Sequence, residues 1–113
     1  MKIANEPCNG STVLHVRAER IDAACAVQFK DAVNAKLESC ALRVILDLAD
    51  VRFVDSSGLG AIVSIYKGQL GHRQIDLCCL SAPVDKVFKL TRMDQVFVIF
   101  SDMDTALNGD QAA

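Results

Sequence analysis

The run Leu-Arg-Val-Ile-Leu-Asp-Leu at residues 42–48 limits the possible fold more than any other part of this chain. Side chains alternate across a strand, so Leu42, Val44, Leu46 and Leu48 share one face and Ile45 lies on the other. Apolar residues on both faces need cover on both sides, which marks a central strand. Around this run, strand-sized and helix-sized patterns alternate. Residues 11–17 read as a first strand through Val13, Leu14 and Val16, with a short extended piece near Arg20 and Ile21. Residues 23–38 carry Ala26, Phe29, Val33 and Leu37 at helical spacing, with Asp22 placed to cap them. Residues 51–54 lead into the turn Asp55-Ser56-Ser57-Gly58. A second helix is expected over 57–69, with Leu59, Ile62, Val63, Tyr66 and Leu70 inward and Gly71 as its stop. Residues 75–80 read as a strand, and Pro83 opens a short helix with Val84, Val87, Phe88 and Thr91 on its face. Residues 96–100 make a final strand. Ser101 and Asp104 then signal a last helix with Met103, Ala106 and Leu107 inward. This alternation predicts an α/β domain: a mixed sheet of four or five strands packed with about four helices.

The 113 residues fit one domain, 1–113, with ends expected to fray at about 1–9 and 108–113. Pro7, Asn9 and Gly10 make residues 6–10 a turn signal. A net charge of −2 with no basic run argues against nucleic acid as a partner. No charged start followed by an apolar run marks a signal peptide, and no apolar run approaches the ~20 residues that cross a bilayer. The expectation is a cytoplasmic protein without a membrane segment. The five cysteines, Cys8, Cys25, Cys40, Cys78 and Cys79, are odd in number and lack CxxC spacing. Cys78 and Cys79 are adjacent in a strand and should face apart. Free thiols in a reducing compartment, with no metal and no cofactor, are therefore expected. Asp76, Lys86 and Lys89 read as solvated charges.

The turn at residues 55–58 has two readings on its own residues. Asp and Ser are common helix caps, and an exposed strand-to-helix turn with two hydroxyls is also a place a kinase can engage. Gly58 and Gly60 suit tight turning or helix packing, because no Lys-Ser/Thr pair makes them a phosphate-binding loop. Asp47, at a strand end, is placed to order the loop after it. An enzyme is not expected: Ser57 lacks the G-x-S-x-G setting of a nucleophile, and only His15 and His72 could act as a base.

Residues 47–60, Asp-Leu-Ala-Asp-Val-Arg-Phe-Val-Asp-Ser-Ser-Gly-Leu-Gly, resemble the signature of the STAS family, and within it the anti-sigma factor antagonists. Residues 14–37 resemble the family's first strand, its Leu-Asp turn (Ile21-Asp22 here) and its first helix, and residues 87–107 resemble its C-terminal pattern. Where the family usually has a Gly before that turn, this chain has Ala18 and Glu19. The resemblance implies a STAS-type single domain, a monomer or weak dimer, in a partner-switching pathway. The unphosphorylated form would bind an anti-sigma factor serine kinase and release the sigma factor. Phosphorylation of Ser56 would turn it off, and a PP2C-type phosphatase would reset it. The partner surface would comprise Asp22, Asp55, Ser56, Ser57, Gly58 and Leu59, with both turns at one end of the sheet. Ser56 is preferred over Ser57, whose hydroxyl is expected to bond a backbone amide. The alternative is a constitutive STAS adaptor in a larger assembly, stressosome-like or transporter-associated.

Overall fold

Asn9 and Gly10 both take positive φ, 51° and 81°, in the computed structural model, which describes residues 1–109. That is the type I′ geometry whose twist joins two strands through two residues. The turn links β1 (Lys2–Cys8) to β2 (Ser11–Arg17), antiparallel, with Cys8 opposite Ser11. Residues 2–8, within the end expected to fray, are therefore placed as a paired edge strand, and the turn is narrower than residues 6–10. Pro7 lies inside β1, where it is tolerated because an edge strand has one side without a ladder.

The elements that follow are β3 (Arg20–Ile21), α1 (Ala26–Leu37), β4 (Arg43–Asp47), β5 (Phe53–Val54) and α2 (Ser56–Gly68). After them come β6 (Gln74–Cys78), α3 (Ala82–Leu90), a 3₁₀ turn (Met93–Gln95), β7 (Ile99–Phe100) and α4 (Met103–Asn108). The main sheet runs β1-β2-β4-β6-β7, with only the β1–β2 pair antiparallel. The architecture is the mixed five-stranded sheet with four helices that the alternation predicts. β4 is the middle strand. β3 and β5 form a separate short parallel pair.

The two faces of the sheet differ. One carries Leu14, Val16, Val44, Leu46, Ile75 and Leu77 against α1, α2 and α3, through Phe29, Val33, Ile62, Ile65, Val84 and Phe88. The other carries Val13, Ile45 and Cys78 under the short α4, through Ala106, Met103 and Leu107. β4 thus needs apolar residues on both faces, as its sequence shows. Leu42 lies before the strand and is 75% exposed, and Leu70 and Thr91 are also exposed. α1 begins at Ala26, not at residue 23, because residues 23–25 form a turn and Cys25 takes the cap position. The cap of α4 is Asp102, whose carboxylate accepts from the Thr105 amide, in place of Ser101. Of residues 96–100, only Ile99 and Phe100 pair, and a 3₁₀ turn precedes them.

Asp76 is the largest correction among the charges. It is 2% exposed, and Arg43 Nε and Nη2 reach its Oδ2 at 3.0 and 2.9 Å. Its position in β6 points it toward the α4 face, where a charge is tolerated only with a partner. Lys89 pairs with Asp85 one helical turn away, at 2.9 Å. Asn108 is the last residue of α4, and the part of the expected frayed end at 110–113 lies outside the described residues.

Candidate functional site

The two turns singled out in the sequence meet. β3 and β5 run parallel, Arg20 beside Phe53 and Ile21 beside Val54, so the chain leaves both strands side by side. Asp55 then joins the turns with one carboxylate. Its Oδ1 accepts from the Gly58 amide at 2.8 Å, capping α2, and its Oδ2 accepts from the Ala23 amide at 3.0 Å. Gly58 closes the contact from the other side. A Cβ there would lie 1.8 Å from the Ile21 carbonyl oxygen, so only glycine lets α2 start this close to β3. Gly60, by contrast, faces open space.

Ser56 and Ser57 occupy the first positions of α2 and are both exposed, and Leu59 is half-buried against the core. The Gly58 amide is taken by Asp55, so Ser57 is not the cap, and the choice of Ser56 rests on its leading position and on the motif. The first amides of a helix have no partner within it, and with the helix dipole they favour an anion.

Asp22 does not cap α1 directly. It orders the turn ahead of it: Oδ1 accepts from the Ala24 amide at 3.1 Å, and Oδ2 from Arg20 Nε at 3.0 Å. The bond from Arg20, against a smaller cost of burial, holds the Asp22 carboxyl below its ordinary value. Two residues were missed in the sequence. Arg20 stacks its guanidinium 4.3 Å from the Phe53 ring centroid, and Phe53 is 41% exposed beside Asp55. A large aromatic placed just ahead of the Asp-Ser-Ser-Gly turn, at a position with no inward partner, was the available signal.

The other face carries a second cluster. His15, Asp47 and Cys78 sit in register on β2, β4 and β6. His15 Nδ1 lies 2.6 Å from Asp47 Oδ2, and Nε2 lies 2.8 Å from Glu6 Oε1. Carboxylates accept and do not donate, so the protonated ring can donate to both at once. Burial disfavours the charged ring, but the bonds to Glu6 and Asp47 outweigh it and raise the His15 pKa from 6.5. Asp47 Oδ1 accepts from the Ala49 amide at 3.0 Å, so Asp47 does order its loop. All five cysteines are free thiols. Burial pushes the Cys78, Cys79 and Cys40 thiols up. Among the described residues no helix is long and apolar enough to cross a membrane.

A mixed-sheet α/β domain with its signature turn at the head of α2 defines a class. The chain belongs to the STAS domain family, whose model matches residues 3–106. It is 30% identical over 97 residues to the anti-sigma-B factor antagonist of Listeria monocytogenes, an alignment covering 84% of this chain and 83% of that protein. An anti-sigma-factor antagonist (STAS) domain protein of Planctomyces limnophilus superposes with a TM-score of 0.84 at 22% identity, over 95% of this chain and 96% of that one. The Bacillus cell fate determinant SpoIIAA has a similar fold in both states. Its unphosphorylated form gives a TM-score of 0.70 at 17% identity over 99% and 98% of the chains. Its phosphorylated form gives 0.63 at 16% over 99% and 100%. At these identities the structures show the fold.

Proposed function

We propose that this chain is an anti-sigma factor antagonist without enzymatic activity, acting in the cytoplasm as a partner switch controlled at Ser56. Its unphosphorylated form binds an anti-sigma factor serine kinase, so that the sigma factor is released. Phosphorylation of Ser56 weakens the complex, and a PP2C-type phosphatase restores it. The observation that carries the reading is an exposed Ser56 at the first position of α2, on a turn that Asp55 and Gly58 hold rigidly against the Asp22 turn. The name of the Listeria relative supports the antagonist role, and the two forms of SpoIIAA support phosphorylation as the control.

The physics suits a modification that spares the fold and breaks a complex. A phosphoserine adds about −1.5 to −2 charges. At a helix N-terminus the folded domain tolerates that charge. Pressed against an acidic or apolar partner surface, the same charge is costly, and ~2.7 kcal/mol is a ~100-fold loss of affinity. The docking surface comprises Asp22, Asp55, Ser56, Ser57, Gly58 and Leu59, with Phe53 as its exposed aromatic anchor.

Incubation with the cognate kinase and ATP should add one phosphate, on Ser56. Ser56→Ala should bind the kinase and stay bound, whereas Ser56→Asp should bind more weakly, though less so than the phosphoprotein, since a carboxylate carries about half the charge. Both variants should keep stability within ~0.5 kcal/mol. Phosphate on another residue, or undiminished binding by Ser56→Asp, would replace the switch with a constitutive adaptor.

A further inference from the structure

Adjacent residues of a regular strand face opposite ways, and on that ground Cys78 and Cys79 cannot act together. The backbone breaks the rule. Cys79 has φ 65°, the left-handed region, which a residue with a Cβ adopts only at a cost of about 1–2 kcal/mol. That turn swings its side chain back beside Cys78, with the two sulfurs within 4.8 Å of one another. Asp47 lies opposite Cys78 in the parallel ladder and points to the same face. The Asp47 carboxylate oxygen and both sulfurs lie within 4.8 Å of one another.

We infer that Asp47, Cys78 and Cys79 form a binding site for a divalent cation of the zinc class. Two sulfurs and one carboxylate oxygen are a donor set of that class, and three protein ligands leave a fourth position for water. Zinc at about 2.3 Å from sulfur and 2.0 Å from oxygen sets its tetrahedral ligand atoms about 3.5–3.8 Å apart. The three side chains reach that spacing by moving about an ångström. Asp47 is oriented as a ligating carboxylate usually is: His15 holds Oδ2 and the Ala49 amide holds Oδ1. The backbone beneath is fixed as well, with the Cys79 amide donating to the Phe100 carbonyl at 3.0 Å and the Cys78 carbonyl accepting from the Leu48 amide at 3.2 Å. Both thiols lose their protons on binding, so each cation taken up releases two. The site lies at the same end of the sheet as the Ser56 turn but on the opposite face, and it is independent of the switch.

The test uses the full chain, stripped with a chelator and titrated with cobalt(II), whose sulfur-to-metal charge-transfer band reports thiolate ligation, then with zinc(II) in competition. One cobalt per chain is expected, with the band displaced by zinc and absent in Cys79→Gly. Glycine suits the left-handed backbone, so that variant should fold at least as well as the parent and its loss of binding cannot be a loss of fold. Asp47→Asn should weaken binding at least tenfold with the band retained, and Cys40→Ala, in the other core, should bind as the parent does. No charge-transfer band in the parent, or an unchanged band in Cys79→Gly, would overturn the proposal and leave Cys78 and Cys79 as ordinary thiols.

Discussion

Gly58 and Gly60 sit two residues apart in the same helix and have opposite tolerance for a side chain. At Gly58 an added methyl meets the Ile21 carbonyl, which is backbone and cannot rotate away. Gly58→Ala should therefore cost about 1–3 kcal/mol or more, at least as much as the ~1–2 kcal/mol expected for Asp55→Ala through its lost cap. It should also shift the amides of the Asp22 turn, which a urea titration with amide spectra would show together. Gly60 is in open space within the helix, so Gly60→Ala should stabilise by about 0.5–1 kcal/mol. Read from sequence, both glycines served turning or packing; only the distance to β3 separates them. Asp22 gives a prediction in pH. Its folded carboxyl is held below the 3.8 of the free group, chiefly by Arg20. The stability it supplies is therefore fully present above 3.8 and is lost as pH falls through the lower folded value. The stability difference between the parent and Asp22→Asn should be constant from neutral pH down to about 5 and should vanish only in stronger acid. A difference that changes near neutrality would show that another group controls the turn.

At the scale of elements, the sequence was most legible where burial is one-sided and long. The stripe Ala26, Phe29, Val33 and Leu37 is the buried face of α1, and β2 has the bounds its alternation set. β1 was invisible because an edge strand needs few apolar residues. Ile3 is its one buried residue, and Pro7, a turn former elsewhere, costs no ladder bond at an edge. Asn9-Gly10 was read as part of a wider turn, although Asn-Gly is by itself a strong hairpin signal. Asn9→Ala should cost about 1 kcal/mol, because alanine resists φ 51°, while Asn9→Gly should be near neutral. Thermal melts of the two variants measure the difference. The site was legible as a motif and as a meeting of two turns, since both precede helices at strand ends. What the sequence could not show is Asp55 serving both turns with one carboxylate, nor the left-handed Cys79, because each depends on contacts between distant segments.

The whole molecule is a sheet with unequal cover. Three helices bury one face, and α4, six residues long, covers the other through Ala106 and the half-buried Met103 and Leu107. The Ser56 turn belongs to the well-covered side, the Asp47 cluster to the other. That division predicts that the two faces fail separately. Ala106 is fully buried against Val13, Ile45 and Cys78, so Ala106→Asp cannot bury its charge there, and α4 should lift off instead. The loss is then capped at what docking α4 contributes, about 2–4 kcal/mol for two half-buried large side chains and one alanine. The main core does not depend on those contacts, so the variant should remain folded, with a single unfolding transition at lower denaturant. Hydrogen exchange should accelerate in α4 and leave α2 protected. Binding to the proposed anti-sigma factor kinase should stay within about twofold of the parent, because Ser56 and its neighbours belong to the face opposite α4. If Ala106→Asp weakens partner binding as much as Ser56→Asp while the main core stays folded, the two faces are coupled, and α4 belongs to the switch.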